Sequence, residues 1–151
     1  MGEIFDKEIV LAMPVMAFLG TVDGAKPRVA PVWFLWEDAA LWMLGDKSGS
    51  SVKRIGENAE CAVEIVHFDV VQGVLLHLGL RGRAIVEKSD PQRFRRLLGK
   101  YLGDDQLKWN KWFIKNIREN RISNCFSCGT CSRSSSFCGH GSSHYYRHVI
   151  L

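Results

Sequence analysis

The stretch FLGTVDGAKPRVAPVWFLWEDAALWMLGD, residues 18–46, decides the fold because it alternates apolar runs with turn signals. Asp23-Gly24 separates two runs rich in valine and aromatic residues, and the turn EDAA at 37–40 separates the second run from LWML at 41–44. Valine and aromatic residues favour strands, whereas Asp-Gly is typical of a tight reversal. The stretch therefore predicts a three-stranded antiparallel meander.

The rest of the first 121 residues adds two strands and four helical segments. Apolar residues at helical spacing predict helices within 3–12, 50–60, 89–104 and 104–121, and the runs 61–71 and 73–88 are typical of strands. Five or six antiparallel strands with helices set apart from them favour a mainly β (α+β) fold, a small barrel with helical attachments, over a parallel α/β sheet.

The bulk composition is that of one globular domain. The chain has 151 residues, of which 46% are hydrophobic and 24% charged. Its apolar runs are broken by Pro14 and Gly20, and no signal-peptide pattern opens the sequence, so we expect a soluble, cytoplasmic protein with no membrane contact. The net charge of +4 is dispersed, which argues against nucleic acid and suits a small anionic ligand.

The composition changes sharply near Arg121. Residues 122–151 contain no acidic residue, yet they hold four of the five cysteines and three of the five histidines. We therefore predict a domain at 1–121 followed by an atypical tail at 122–151. Three interpretations of the tail stay open: translation in a wrong frame, a disordered extension, or a zinc site. The crowded cysteine spacing disfavours the zinc site, so no metal is predicted.

The loop GDKSGSSVKR, residues 45–54, runs into a predicted helix. Hydroxyl side chains, free N–H groups of a helix start and a cation together make an anion site. The same letters also fit an ordinary serine cap on a solvated helix. Taken alone, the loop leaves both interpretations open.

The ordered motifs TVDG, PRVAPVWF, ALWML, the serine-rich loop and RIGEN, followed later by LRGRAIVE and DPQRF, carry a family likeness. This set, over roughly residues 5–119, resembles the pyridoxamine 5′-phosphate oxidase-like family of FMN-binding split β-barrels. The resemblance implies a six-stranded antiparallel split β-barrel with helical attachments and an FMN-binding domain at 1–121.

The resemblance also implies a homodimer that binds two FMN molecules at the subunit interface. Arg28 would then meet the phosphate, the strand from Val29 to Trp33 would lie along the isoalloxazine ring, and the segment from Leu44 to Ser51 would close the ribityl and phosphate side. The cofactor-site residues implied are Arg28, Val29, Ala30, Pro31, Val32, Trp33, Leu44, Gly45, Asp46, Ser48, Ser51, Lys53 and His77.

Two parts of this assignment are ambiguous. Relatives usually carry a lysine where this chain has Ser51, and Lys53 lies two residues later, so Ser48, Ser51 and Lys53 all stay candidates for the phosphate. His77 falls near a position where relatives place a polar flavin contact, but it is equally consistent with a histidine on an outer, solvated face.

The function that the resemblance implies is that of an FMN-dependent oxidoreductase acting on a small molecule. The alternatives are the same barrel with a deazaflavin coenzyme or haem, and a non-enzymatic, stress-related flavin-binding module. No residue is assigned as a catalytic acid or base. Trp33 could stack on the ring or fill the core, and Trp109 and Trp112 are interpreted as packing residues.

Overall fold

The computed structural model describes residues 6–46, 48–88 and 90–118, together with strands at 124–129 and 143–149. The helices are α1 (Lys7–Ala12), α2 (Ser50–Glu57), α3 (Pro91–Leu102) and α4 (Lys111–Arg118), with a 3₁₀ turn at Gln106–Lys108. The strands are β1 (Ala17–Asp23), β2 (Lys26–Val32), β3 (Phe34–Glu37), β4 (Ala40–Gly45), β5 (Glu60–Asp69), β6 (Val74–Lys88), β7 (Asn124–Gly129) and β8 (Ser143–Val149).

The strands form two antiparallel sheets that share β6. The hydrogen-bonded order is β2-β1-β5-β6-β7-β4-β3, and β8 also pairs with β6. Strand β6 pairs with β5 as far as Arg83 and with β7 from Ala84 onward, so it passes from the first sheet to the second at this point. The predicted mainly β fold with separate helices is confirmed.

The strand count differs from the six predicted, since eight strands are described. The run PRVAPVWFLW, predicted as one strand, is two strands separated by Trp33. The reason lies on α3: the Tyr101 hydroxyl accepts a hydrogen bond from the Phe34 N–H at 3.0 Å, and the Lys100 ammonium donates to the Phe34 carbonyl at 3.1 Å. Among the described strands the hydrogen bonds close no ring, although β2 and β3, the two ends of the order, are joined through Trp33.

The tail contributes strands β7 and β8 to this arrangement. Strand β7 pairs with both β4 and β6, and β8 pairs with the first half of β6. The rest of residues 122–151 lies outside the described residues, as do the side chains of the predicted zinc alternative. The domain boundary near Arg121 and the origin of the tail stay predictions.

The main core lies between the two sheets. The inward residues of β1 and β5 alternate with solvent-facing ones, as the period of two requires, and α1 and α2 add apolar side chains. The largest fully buried side chains of this core are Val10, Leu19, Phe34, Leu41, Met43, Val63, Ile65 and Leu78. Burial of each such side chain contributes roughly 1.5–3 kcal/mol, so this layer carries most of the hydrophobic stabilisation.

A second core joins α3 to the segment that leads into α4. Helix α3 begins as predicted, with Pro91 in the first turn and the Asp90 carboxylate accepting from the Gln92 N–H at 2.9 Å. Its apolar stripe packs against Trp109, whose indole N–H donates to the Gly103 carbonyl at 2.8 Å. The prediction that Trp109 is a packing residue is confirmed. This arrangement positions α4 over the end of β4.

The described helices include none with the length and hydropathy needed to cross a bilayer.

Candidate functional site

A cavity of about 610 Å³ lies between β2, β4 and α4. It is larger than a second cavity, of about 430 Å³, on the outside of α3. We treat the larger cavity as the candidate site because predicted cofactor residues line it. Six of the thirteen do so: Pro31, Val32, Trp33, Leu44, Gly45 and Asp46. Met16 and three residues of α4 complete the lining. The break between β2 and β3 and the end of β4 therefore meet at one hollow.

Trp33 forms an aromatic wall of the cavity. Its ring is stacked on Tyr101 with a centroid distance of 4.6 Å and an interplanar angle of 3°, and Phe113 stacks at 5.6 Å and 20°. The Tyr101 hydroxyl donates to the Val15 carbonyl at 2.9 Å, so the supporting ring is itself fixed. Burial raises the pKa of Tyr101 to about 12, which keeps it a neutral donor. The indole is thus held rigidly before any ligand arrives.

Lys100 lies behind this wall rather than in the cavity. Its ammonium donates to the carbonyls of Leu11 and Phe34, at 2.9 and 3.1 Å, and lies 3.4 Å from the centroid of the Phe34 ring. Burial lowers the pKa of Lys100 to about 8. Its contacts are those of a residue that fixes β3 on α3 and α1.

Helix α4 supplies another part of the lining, and none of its residues was predicted to belong to the site. Trp112 lines the cavity and is 57% exposed, and it meets Phe113 edge to face at 5.1 Å and 88°. Asn116 adds an amide whose Nδ2 donates to the Trp112 carbonyl at 2.7 Å. The interpretation of Trp112 as a packing residue is therefore incomplete. The sequence carries no signal for this role, because a tryptophan at helical spacing predicts packing and its exposure is visible only in the structure.

The loop at 45–54 starts α2 without a side-chain cap. The N-cap is Gly49, not a serine, and no side chain of the described residues caps the first N–H groups of the helix. Ser48 instead donates through its N–H and its hydroxyl to Asp46 Oδ1, at 2.8 and 2.7 Å. These bonds lower the pKa of Asp46. A glycine is required at position 49 because a Cβ would lie only 2.9 Å from the Asp46 carbonyl oxygen.

Arg54, rather than Lys53, turns toward the sheet. Its Nε donates to Thr21 Oγ1 at 2.9 Å and its Nη2 to Ser51 Oγ at 3.1 Å, and Thr21 is only 4% exposed. The Lys53 side chain is 79% exposed and lies 4.0 Å from Glu57. Arg54 is not among the cofactor-site residues predicted from the sequence, although its position three residues after Ser51 places both on one face of a helix.

Arg28 shares the face on which Arg54 lies. It is directly opposite Thr21 in the β1–β2 register, and opposed residues of an antiparallel pair point to the same side. Its guanidinium is half exposed and lies 3.4 Å from Asp23. The structure therefore brings two arginines, Ser51 and the uncapped start of α2 to one side of the first sheet.

The remaining predicted residues do not line the cavity. Val29 and Ala30 lie on β2, with Val29 71% exposed. His77 lies on the outer face of the first sheet, where it pairs with Glu64, which also binds Arg81 at 3.2 Å. The role of each in cofactor binding stays a prediction.

No metal cluster is found among the described residues. Neither a protein-family model nor a curated protein matches the sequence.

Solved structures do match, over nearly the whole chain. An F420 reductase is 17% identical, with 92% of this chain and 98% of that chain covered and a TM-score of 0.64. General Stress Protein 26 from Bacillus anthracis str. Sterne is 16% identical, with 92% and 89% covered and a TM-score of 0.64. An FAD-binding protein from Mesorhizobium loti is 15% identical, with 93% and 90% covered and a TM-score of 0.60.

At these identities the likeness is one of fold. The chain has the fold of the pyridoxamine 5′-phosphate oxidase-like proteins, as its sequence motifs predicted.

Proposed function

We propose that this protein binds FMN, with the isoalloxazine ring in the cavity beside Trp33 and the phosphate at the start of α2, and that it is an oxidoreductase acting on a small molecule. One observation carries the proposal. A cavity with aromatic and strand walls ends at Gly45 and Asp46, which lead directly into an uncapped helix start beside two arginines. A flavin nucleotide needs that combination, a flat apolar slot joined to a site for a dianion.

The ring end of the cavity fits a flat heterocycle. Pro31, Val32 and Trp33 offer apolar surface, and β2 stands at one end of the strand order, hydrogen-bonded only to β1 among the described strands. The other edge of β2 therefore presents backbone donors and acceptors to the polar rim of a ring.

The phosphate end rests on Arg54 and Ser51, with Arg28 on the same face. Arginine forks, a hydroxyl group and free helix N–H groups are the usual partners of a phosphate. In this assignment Arg54 takes the role that the sequence analysis left open between Ser51 and Lys53. The Ser48 hydroxyl is engaged by Asp46 and takes no part.

Bound FMN would supply the electron-transfer chemistry. The residues of the chain bind and orient the ring and exclude water from it. Of the described residues that line the cavity, only Asp46 is ionisable, and its lowered pKa keeps it a carboxylate at neutral pH. It therefore holds no proton to donate, and no catalytic acid is assigned among these residues.

We further propose that the outer face of the first sheet is a homodimer interface and that the protein acts in the cytoplasm. Large apolar side chains are exposed together on this face: Phe18, Val29, Val66 and Phe68. Phe18 is opposite Pro31, and Gly20 is opposite Val29, so the apolar surface is continuous across β1 and β2.

The proposal is tested by adding FMN to the purified protein and measuring the bound cofactor by ultrafiltration and its absorbance spectrum. Arg54→Gln should weaken FMN binding at least tenfold, because losing a hydrogen bond to a charged group costs about 1.5–3 kcal/mol. Arg28→Ala should weaken it as well. Lys53→Gln is the matched control and should bind like the wild type.

Failure to take up FMN supplied in excess would refute the flavin proposal. Equal affinity of Arg54→Gln and Lys53→Gln would remove Arg54 from the phosphate site. Oxidation of NAD(P)H by the FMN-loaded protein would support the oxidoreductase part, whereas uptake without turnover would favour a binding module.

A further inference from the structure

Helix α4 gives the cavity a second wall that the FMN proposal does not use. We propose that Trp112, Phe113 and Asn116 form a subsite for a planar, uncharged aromatic ring that carries a hydrogen-bond donor. The placement of this subsite beside FMN rests on the proposed function, whereas the subsite itself rests on the residues of α4.

Trp112 is built to present its ring. Its backbone N–H donates to Asn110 Oδ1 at 2.9 Å, which fixes the first turn of α4. The ring of Phe113 meets the indole edge to face. Yet more than half of Trp112 stays exposed, whereas Trp109, three residues earlier, is 5% exposed. A large aromatic side chain held in place but uncovered, at the lip of a cavity, has the properties of a stacking surface for a ligand ring.

Asn116 supplies the polar contact. Its Nδ2 is engaged by the Trp112 carbonyl, which sets the orientation of the amide. No donor among the described residues bonds its Oδ1, so this oxygen can accept a hydrogen bond from a ligand. A hydroxyl or N–H group on the ring would meet this requirement.

No cation lines the cavity among the described residues. Asp46 is the one ionisable side chain among the described lining residues, and its bonds from Ser48 keep it a carboxylate. The arginines proposed for the phosphate, Arg28 and Arg54, do not line the cavity. A sulfonate group on a ring bound beside Trp112 would therefore meet no cation among the described lining residues, so the subsite favours a neutral ring.

The test uses two ligands that differ in charge, 2-naphthol and 2-naphthalenesulfonate, with binding measured by equilibrium dialysis in the presence of saturating FMN. We expect 2-naphthol to bind and the sulfonate to bind at least tenfold more weakly. Asp46→Asn should reduce the ratio of the affinity for 2-naphthol to the affinity for the sulfonate. Asn116→Leu should abolish the preference for 2-naphthol over naphthalene, which lacks the donor.

The aromatic contact is tested by Trp112→Ala, which should weaken 2-naphthol binding about tenfold, the size expected for losing a ring stack. Trp112→Phe keeps an aromatic ring and should retain most of the affinity. Leu107→Ala removes an exposed apolar side chain outside the cavity and should have no effect. Circular dichroism shows whether each variant is folded.

Absence of 2-naphthol binding, equal affinity for both ligands, or equal affinity of Trp112→Phe and Trp112→Ala would overturn the subsite. Displacement of 2-naphthol by FMN would overturn it too, because the two would then share one position. If the protein takes up no FMN, the dialysis is run without it. Naphthol binding with the expected variant effects would then support the subsite while the flavin proposal fails.

Discussion

Strands β2 and β3 continue one another across Trp33 but have opposite surroundings. Strand β3 is covered: Phe34 is fully buried, and Glu37 binds Arg96 through two hydrogen bonds, at 2.7 and 2.8 Å, while Arg93 also reaches it. Strand β2 is hydrogen-bonded only to β1 among the described strands, and five of its seven residues are exposed. Strand β3 therefore belongs to the structural framework, and β2 is left open for a ligand or a partner.

The largest effect is expected when a side chain is removed from each of the two strands. Phe34→Ala should lower the free energy of unfolding by about 3–5 kcal/mol, the usual cost of emptying an aromatic site in a core. Lys26→Ala, at the exposed start of β2, should change it by less than about 0.5 kcal/mol. Urea titration followed by circular dichroism measures both, and similar values would show that β2 and β3 do not differ as framework.

A charge on the outer face of the first sheet should weaken the association of two protomers and leave folding unchanged. Phe18→Lys places a cation in the apolar surface beside β2 and should weaken the proposed dimer about a hundredfold, roughly 2.7 kcal/mol, because the charge would have to be buried. Val71→Lys, at an exposed position in the β5–β6 turn, is the control. Sedimentation velocity measures the oligomeric state. A monomeric wild type, or a Phe18→Lys dimer as strong as the control, would contradict the proposed interface.

The contacts of Lys100 with β3 predict a pH dependence of stability. Its pKa is lowered to about 8 in the folded protein from an ordinary 10.5. Between pH 8 and 10 the unfolded chain therefore holds a proton that the folded chain has lost, and the free energy of unfolding rises with pH across this window. The rise due to Lys100 should be about 1–2 kcal/mol.

Above pH 10 the raised pKa of Tyr101 acts in the opposite direction, so the window from 8 to 10 isolates Lys100. Chemical unfolding at pH 8, 9 and 10 measures the slope. Lys100→Met should flatten it, whereas Lys111→Met, on the exposed start of α4, should leave it unchanged. An unchanged slope in Lys100→Met would mean that the lysine keeps its proton through this range.

The helices and strands could be predicted from the sequence, but the break between β2 and β3 at Trp33 could not. The valine-rich runs, the Asp-Gly turn and the proline at the start of α3 are local signals, and each appears where expected. The break at Trp33 is not local, because the groups that satisfy Phe34 come from Lys100 and Tyr101, 66 and 67 residues later. No pattern within residues 26–37 encodes those partners.

In the candidate site, too, some residues follow from local sequence signals and others depend on contacts between distant segments. Its strand residues, Pro31 to Trp33 and Leu44 to Asp46, follow from ordered motifs that sequence alone displays. The choice of Arg54 over Lys53 depends on how α2 is rotated against β1, and the rotation is set by burial of Ile55. Helix α4 is brought to the cavity by the packing of Trp109 on α3 and of Phe113 on Trp33, which are again contacts between distant segments.

The smallest predicted effect concerns the two turns that end these strands. Both turns use left-handed backbone, but β1–β2 has Gly24 at φ +60°, whereas β3–β4 has Asp38 and Ala39 at φ 55° and 56°. A left-handed residue other than glycine costs about 1–2 kcal/mol, and glycine loses part of that advantage through its greater freedom in the unfolded chain. Ala39→Gly should therefore stabilise the protein by about 0.5–1 kcal/mol, and Gly24→Ala should destabilise it by a similar amount. Thermal unfolding of the two variants, measured side by side, should move the midpoint in opposite directions.

A destabilised Ala39→Gly would mean that the contacts of the β3–β4 turn, including the bond from Arg93 to Asp38 at 3.2 Å, require a restricted backbone there. In that case β3 would be held by its turn as well as by α3, and the contrast with the open β2 strand would be sharper still.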